Sequence, residues 1–368
     1  MKPVANLKTH PSARDLLSLA HKAPCIDLRA PGEFAQGAFP GAVNLPLLTD
    51  NERAEVGIAY KNRGRQAALE VGQRLVGDSQ REQRTALWLE HANAHPDCWL
   101  YCWRGGMRSE IAQTWLAESG LDLPRVAGGF KALRKACLAV LANAPKTKRW
   151  LVLAGRTGSG KTKLLREFDT GIDLEGLAHH RGSAFGARSE PQPMPVDFEN
   201  RLAVAFVQHP HDVLLLEDES RNIGRLALPE PWHEKMQQAP LVVVDATMEE
   251  RVENIRREYV LEPLNDGVSG EELETRYRDA LNRIERRLGG LRHREVREKL
   301  QKGFATGEHE DWIERLLSWY YDPMYDYQLE KKLTRVIARG DTRAMRKFMA
   351  EWGQSKVPEE WGQSKVPG

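Results

Sequence analysis

The sequence predicts an α/β protein in two parts, each built around parallel strands. Three observations point there. Short apolar runs alternate with amphipathic stretches over residues 1–145. A Pro-containing basic connector follows, Ala144-Pro145-Lys146-Thr147-Lys148-Arg149. A new strand–turn–helix pattern then opens at Trp150. Strand and helix patterns in alternation mark a parallel sheet with crossover helices. Proline stops a helix and clustered charges seek water, so the connector divides the chain. A length of 368 residues agrees, since one domain takes ~100–200.

In the first part, residues 25–28 and 99–102 are apolar runs too short for a helix and read as buried strands. Residues 13–19, 65–75 and 109–117 space their apolar side chains for helices. In the second part, residues 150–154, 213–216 and 241–244 are strands, and 249–335 are helical and heavily charged. The expected organisation is one domain over 1–145, a second over 146–350, and a polar tail over 351–368. In that tail Glu351-Trp352-Gly353-Gln354-Ser355-Lys356-Val357-Pro358 recurs at 360–367. Two such short copies cannot bury a face, so the tail is assigned no function.

Hydrophobic residues make up 41% and charged residues 29%, a core-forming composition. Lys+Arg number 54 against 52 Asp+Glu, which excludes a globally basic nucleic-acid coat but not local basic faces. Residues 283–302 hold eight basic and three acidic side chains, and 331–350 seven and one. Arg283, Arg286, Arg287, Arg292 and Arg294 are therefore candidate contacts to nucleic-acid phosphates, with a solvated, salt-bridged helix as the plain alternative. No apolar run approaches the ~18 residues of a membrane span. The first residues lack a signal-peptide pattern, and four cysteines do not make a disulfide framework. The expected location is the cytoplasm, with no membrane partner.

The first chemical constellation is Cys102-Trp103-Arg104-Gly105-Gly106-Met107-Arg108-Ser109, between a strand and a helix. A loop on that path points N–H groups inward, and the helix start adds positive charge. Gly105 and Gly106 permit the tight path. Arg108 can grip an oxyanion with two parallel bonds, aided by Arg104. Cys102 at the loop's start sits in a field that favours its thiolate, the form that attacks. Ser109 is expected to cap the following helix. Cys25 and Cys137 read as core residues. Cys98 reads the same way, with a resolving thiol as the alternative.

The second constellation is Gly155-Arg156-Thr157-Gly158-Ser159-Gly160-Lys161-Thr162, a P-loop in the strand-to-helix context that motif requires. Backbone amides of Gly155, Gly158, Ser159 and Gly160 cradle a diphosphate or triphosphate. Lys161 reaches its terminal oxygens, and Thr162 can ligate Mg²⁺. Leu214-Leu215-Leu216-Glu217-Asp218 is a strand ending in carboxylates, with Asp218 the first candidate for the Mg²⁺ shell and Glu217 behind it. His179, His180, Arg181 and Ser183 form a polar, glycine-containing candidate substrate loop. Trp103, Tyr320 and Tyr321 are candidates for base stacking or for the core.

Asp27-Leu28-Arg29, Glu33-Phe34, Gly37-Ala38-Phe39-Pro40-Gly41-Ala42-Val43-Asn44 and the Cys102 loop together resemble a rhodanese domain. The loop has the length also used by related phosphatases, so chalcogen transfer and phosphate-ester hydrolysis both stay open. A rhodanese-like domain followed by a P-loop NTPase-like domain resembles the tRNA 2-selenouridine synthase family. That resemblance extends to Asn51 through Gly57, Tyr60-Lys61, the stretch 173–186, Glu217 through Arg221 and Tyr320 through Tyr325. The repeated tail departs from it.

The resemblance implies a tRNA substrate carrying wobble 2-thiouridine. Its sulfur would be geranylated from geranyl diphosphate, and selenium from selenophosphate would then replace the geranylthio group. Cys102 would carry the selenium. The co-substrates are small phosphate donors, and a selenophosphate-producing enzyme is an expected partner. Two other functions fit the motifs: a cysteine-dependent phosphatase fused to a P-loop small-molecule kinase, and a nucleotide-switched regulatory fusion.

Overall fold

The structure, a computed structural model, describes residues 10–20 and 24–354. The repeated tail beyond Gln354 lies outside the described residues. In chain order the strands are β1 (Ile26–Asp27), β2 (Val43–Asn44), β3 (Leu100–Tyr101), β4 (Arg149–Gly155), β5 (Val213–Glu217), β6 (Asn222–Ile223), β7 (Leu226–Ala227), β8 (Leu241–Val244) and β9 (Val336–Gly340).

The chain packs as two compact units. The first comprises Met1–Lys146, Pro193–Pro210 and Leu226–Trp232, and the second comprises Thr147–Gln192, His211–Arg225 and His233–Gly368. The strictly sequential division into 1–145 and 146–350 therefore does not hold. The reason is the helix Pro195–Gln208, opened by a proline at its first position. It buries Phe198, Leu202, Ala203 and Phe206, spaced to face one way, in the first unit. Polar contacts fix it there. The Asn200 amide donates to the Ala38 carbonyl at 2.8 Å, and the Asp197 carboxylate accepts from the Ala38 N–H at 2.7 Å.

The first unit holds a parallel sheet in the order β2-β1-β3, with Ile26 opposite both Val43 and Leu100. Its core gathers Ile26, Leu28, Trp88, Leu100, Ala112 and Leu116. Each large apolar side chain buried there contributes about 1.5–3 kcal/mol. The helix Met107–Glu118 leaves the cysteine loop.

The second unit holds a parallel sheet in the order β5-β4-β8-β9. β4, β5 and β8 are buried on both faces, which is why they read as unbroken apolar runs. β9 follows the helical region and was not visible as an apolar run, since it is only partly buried. Between β8 and β9 a helical layer runs from Met248 to Glu330 around Tyr277, Leu281, Trp312 and Leu316. Two of its turns, Arg256–Leu261 and Leu317–Tyr321, widen to π-helical geometry. The expected tail from 351 begins inside the helix Thr342–Gln354, where the Trp352 ring lies 4.9 Å from the Arg149 guanidinium.

Candidate active sites

In the first unit the cysteine loop runs from the end of β3 to the helix Met107–Glu118. Cys102 is buried, its Sγ 4.0 Å from the Gly106 carbonyl oxygen. The loop's back is backbone pressed on backbone. Gly105 has φ +64°, and a Cβ there would lie 2.4 Å from the Val126 carbonyl oxygen. Gly129 has φ +56°, and a Cβ there would lie 2.1 Å from the Cys102 carbonyl oxygen. The Phe130 N–H donates to that same oxygen at 2.8 Å. Only glycine fits either position.

The stretch Asp27–Asn44 upstream acts as scaffolding for this loop. Asp27 and Arg29 form a fully buried pair, 2.6 Å at its closest. The Arg29 guanidinium also donates to the Gly37 carbonyl and lies 3.8 Å from the Phe130 ring centre. The Asn44 amide donates to the Asp27 and Arg29 carbonyls, tying β2 to the end of β1.

Two expectations for the loop change. Ser109 does not cap the helix; Gly106 occupies the cap, and Ser109 is fully buried inside the first turn. Arg108 is not free for an oxyanion, since Glu33 holds it at 2.6 and 3.2 Å. Burial raises the Glu33 carboxyl, and the Arg108 and Ala30 hydrogen bonds more than offset this, leaving it below the usual range. Arg104 stays exposed at the loop's mouth. Trp103 is half-buried, its ring 5.8 Å from Phe130. Burial pushes Cys98 up to about 11 and Cys137 up to about 12, and raises Cys25 as well, so these thiols are packing groups.

In the second unit the P-loop joins β4 to the helix Lys161–Leu165. Neighbouring side chains occupy its outward carbonyls. Arg251 Nε donates to Thr157 and Asn254 Nδ2 to Gly158, both at 2.9 Å. Arg251 is in turn fixed by Asp322, and Arg156 by Asp326 at 2.7 Å. Gly158, at φ +83°, leaves 2.8 Å between a Cβ and the Arg251 carbonyl oxygen, so the loop is clamped against that helix. With the outer face satisfied, the inner amides stay available for an anion. Lys161 Nζ folds back on the Gly155 carbonyl at 2.9 Å.

The carboxylate beside the loop is Glu217. Thr162 Oγ1 lies 3.1 Å from it, whereas Asp218 is held by Lys332 Nζ at 2.7 and 2.8 Å. Glu217 ends β5 beside the Thr162 hydroxyl, while Asp218, just past the strand, also borders the cleft but has its carboxylate taken by Lys332. The expected order of these two is therefore reversed. Glu175 and Glu219 join Glu217, with ligand oxygens within 4.8 Å of one another. Burial and mutual repulsion push all three up to about 8. The Ser159 hydroxyl and Glu217 Oε1 are buried without a hydrogen-bond partner. Three crowded carboxyls, a threonine hydroxyl and a glycine cradle fit a divalent cation bound together with a phosphate chain.

A cleft of about 290 Å³ opens over this cradle. Arg181 and Ser183 of the expected substrate loop line it. The Ser183 hydroxyl lies 2.9 Å from the Tyr259 hydroxyl. His179 takes φ +51° and caps a helix instead, and His180 stands back from the cleft, its pKa lowered by burial and by Arg188 and Arg181. The two π-helical turns supply Glu258, Tyr259, Tyr320 and Tyr321 to the wall, a use such turns often have. Tyr320 and Tyr321 are largely buried within that wall. A small apolar recess of about 20 Å³, walled by Phe185, Trp312, Ile313, Leu316 and Leu317, adjoins the cleft and shares Thr157, Ser183, Ile255, Tyr259 and Tyr321 with it. Arg283, Arg286, Arg287, Arg292 and Arg294 are all exposed around the corner between the helices Gly270–Leu288 and Gly290–Thr306.

A phosphate cradle clamped between a parallel sheet and a helix, with carboxylates at the neighbouring strand end, defines a P-loop protein. Residues 148–356 match the family described as the tRNA 2-selenouridine synthase AAA domain. The chain is 49% identical over 345 residues to the tRNA 2-selenouridine synthase of Hahella chejuensis, covering 89% of this chain and 91% of that protein. It is 44% identical over 348 residues to that of Shewanella frigidimarina (90% and 95%) and 42% identical over 371 residues to that of Marinobacter nauticus (95% and 100%). The chain belongs to the tRNA 2-selenouridine synthase family and is an enzyme of the transferase class. Among the described residues no helix is long and apolar enough to cross a membrane.

Proposed function

We propose that this enzyme converts wobble 2-thiouridine in tRNA to 2-selenouridine in two steps, one assigned to each unit. Family membership supports selenation of tRNA. The observation that carries the finer reading is the diphosphate cradle of the second unit, set in a cleft of about 290 Å³ that Ile255, Tyr259 and Met324 also line. An allylic diphosphate has a charged head for the cradle and an apolar chain for those side chains.

In the first step the thiouridine sulfur attacks the allylic carbon of geranyl diphosphate. The carbon–oxygen bond breaks, diphosphate leaves with the electron pair, and the base loses its N3 proton. The P-loop amides and Lys161 stabilise the charge growing on the leaving group. Mg²⁺ would be held by Thr162 and Glu217, with Glu175 and Glu219 beside them, and supplies further charge neutralisation when bound. Alkylation makes C2 electrophilic and turns its sulfur into a leaving group.

In the second step the Cys102 thiolate adds to C2 and geranylthiol departs. The selenium of selenophosphate then displaces Cys102 from C2, and water cleaves the selenium–phosphorus bond, releasing inorganic phosphate and leaving 2-selenouridine. The exposed Arg104 is the side chain at the loop mouth available to a phosphate. The five corner arginines are assigned to tRNA phosphates, and the cytoplasm is the compartment assigned to the enzyme.

The test is reconstitution. Purified protein given thiolated tRNA, geranyl diphosphate, selenophosphate and Mg²⁺ should yield 2-selenouridine by nucleoside mass spectrometry. Omitting selenophosphate should stop the reaction at geranylated thiouridine. Selenation at full rate without geranyl diphosphate would refute the two-step order.

A further inference from the structure

A second cleft, of about 370 Å³, shares Thr162, Glu175, Arg181 and Glu258 with the P-loop cleft. Its own wall adds Lys163, Arg166, Arg188, Arg257 and Glu262. Five cationic side chains thus converge on one opening, against three carboxyls, Glu175, Glu258 and Glu262. Only part of this charge is answered. Arg166 is paired with Asp173 at 2.7 Å, and Arg257 leans on Asn254 and lies 4.0 Å from Glu258. Lys163, Arg181 and Arg188 have no carboxylate partner among the described residues. Arg188 Nε is buried and donates to nothing. Arg181 stacks 5.0 Å from the Tyr259 ring centre, which fixes its guanidinium without neutralising it. Burial first, then repulsion from Arg181 and Arg166, lowers the Arg188 pKa despite Asp173 and Glu175 nearby. Clustered guanidinium groups with a buried, unused donor are arranged for an oxyanion, which each can bind with charge-assisted bonds.

We propose that this cleft is a second phosphate site and that its guest is a backbone phosphodiester of the RNA substrate. The inference rests on the function proposed above. The P-loop already accounts for the phosphates of the allylic donor. The acceptor nucleotide must also be held at the same cleft, and it carries a phosphate on either side of its base. A site that shares a wall with the P-loop cleft is positioned to seat one of them and so fix the thiouridine. Arg188 is then a positioning residue.

The experiment uses the full chain and a tRNA anticodon stem-loop containing 2-thiouridine. Versions of the RNA carry one neutral methylphosphonate linkage, 5′ or 3′ of that nucleotide. Wild type, Arg188→Gln, Arg188→Lys and Arg181→Gln are compared for affinity and salt dependence, and an inorganic pyrophosphate titration of the Arg188 variants, whose side chain lies outside the P-loop cleft, shows that their P-loop is intact. One methylphosphonate should weaken the wild type about tenfold. Arg188→Gln should weaken the unmodified RNA about tenfold and reduce the salt slope by about 1. The two losses should not add, and Arg188→Lys should recover part of the affinity. Unchanged RNA binding by both Arg188→Gln and Arg181→Gln, or losses that add in full, would overturn the proposal. So would loss of inorganic phosphate binding in Arg188→Gln with RNA affinity intact, which would make the guest a small anion. Failure of the wild type to bind thiolated RNA at all would overturn the proposed function, and this inference with it.

Discussion

The cysteine loop and the P-loop are built on one plan and filled differently. Each leaves a parallel strand, turns through glycines in left-handed geometry and opens a helix. In the P-loop, the neighbouring Arg251 and Asn254 take the outer carbonyls, and polar atoms inside the cradle are left over, Ser159 Oγ and Glu217 Oε1 among them. In the cysteine loop the arginine that the motif offers to an anion is already bound to Glu33, and the loop's back is locked by Gly105 and Gly129. A shared backbone path therefore does not mean a shared charge state. The P-loop keeps open polar atoms beside three crowded carboxyls. The cysteine loop is a rigid socket around a thiol.

The largest expected effect breaks that socket. Asp27→Asn leaves the fully buried Arg29 charge uncompensated and should cost about 3–5 kcal/mol of stability. Chemical denaturation would show this. A loss under about 1 kcal/mol would mean that the pair is not a structural keystone.

Next comes the ranking of the two strand-end acids. Glu217→Gln should weaken Mg²⁺-dependent pyrophosphate binding tenfold or more, on the order of what metal-site groups contribute. Asp218→Asn should change it less than about threefold, because Lys332 and not Thr162 holds that side chain. Calorimetric titration distinguishes them. Equal losses would return Asp218 to the metal shell.

A smaller, graded effect is set by pH. Glu175, Glu217 and Glu219 are raised from 4.5 to about 8. The folded chain thus keeps protons that the unfolded chain releases. Metal-free stability should therefore be highest below about 4.5 as far as these groups go, and fall as pH rises through about 8. Mg²⁺ needs the ionised forms, so its stabilising effect should grow over the same window. Thermal melts at pH 6 and pH 8.5, with and without Mg²⁺, would read both slopes; a Mg²⁺ effect independent of pH would contradict the clustering.

The smallest effects belong to the exposed corner. Single substitutions among Arg283, Arg286, Arg287, Arg292 and Arg294 should each weaken tRNA binding only severalfold while lowering its salt slope by about 0.9. Filter binding across salt concentrations would show it, and unchanged slopes would return these arginines to plain solvated charge.

Both loops were legible in the sequence because each is a contiguous string whose spacing dictates its backbone. The buried strands β4, β5 and β8 were legible because burial on both faces leaves an unbroken apolar run. What escaped depends on distant partners. Glu175 joins Glu217 across more than forty positions, and no local pattern marks it. Asp218 outranked Glu217 by residue type, but the contacts to Thr162 and Lys332 decide between them. Arg108 reads as free until Glu33 is seen beside it. The return of the helix Pro195–Gln208 to the first unit rests on Asn200 and Asp197 meeting Ala38, about 160 residues earlier. The π-helical turns at 256–261 and 317–321 leave no apolar spacing of their own to read.

The division of chemistry between the two loops is tested most directly by mass spectrometry of tRNA nucleosides from two variants. Cys102→Ala should accumulate geranylated thiouridine without selenouridine, and Lys161→Ala should leave 2-thiouridine unaltered. Full selenation by both variants would contradict the assignment.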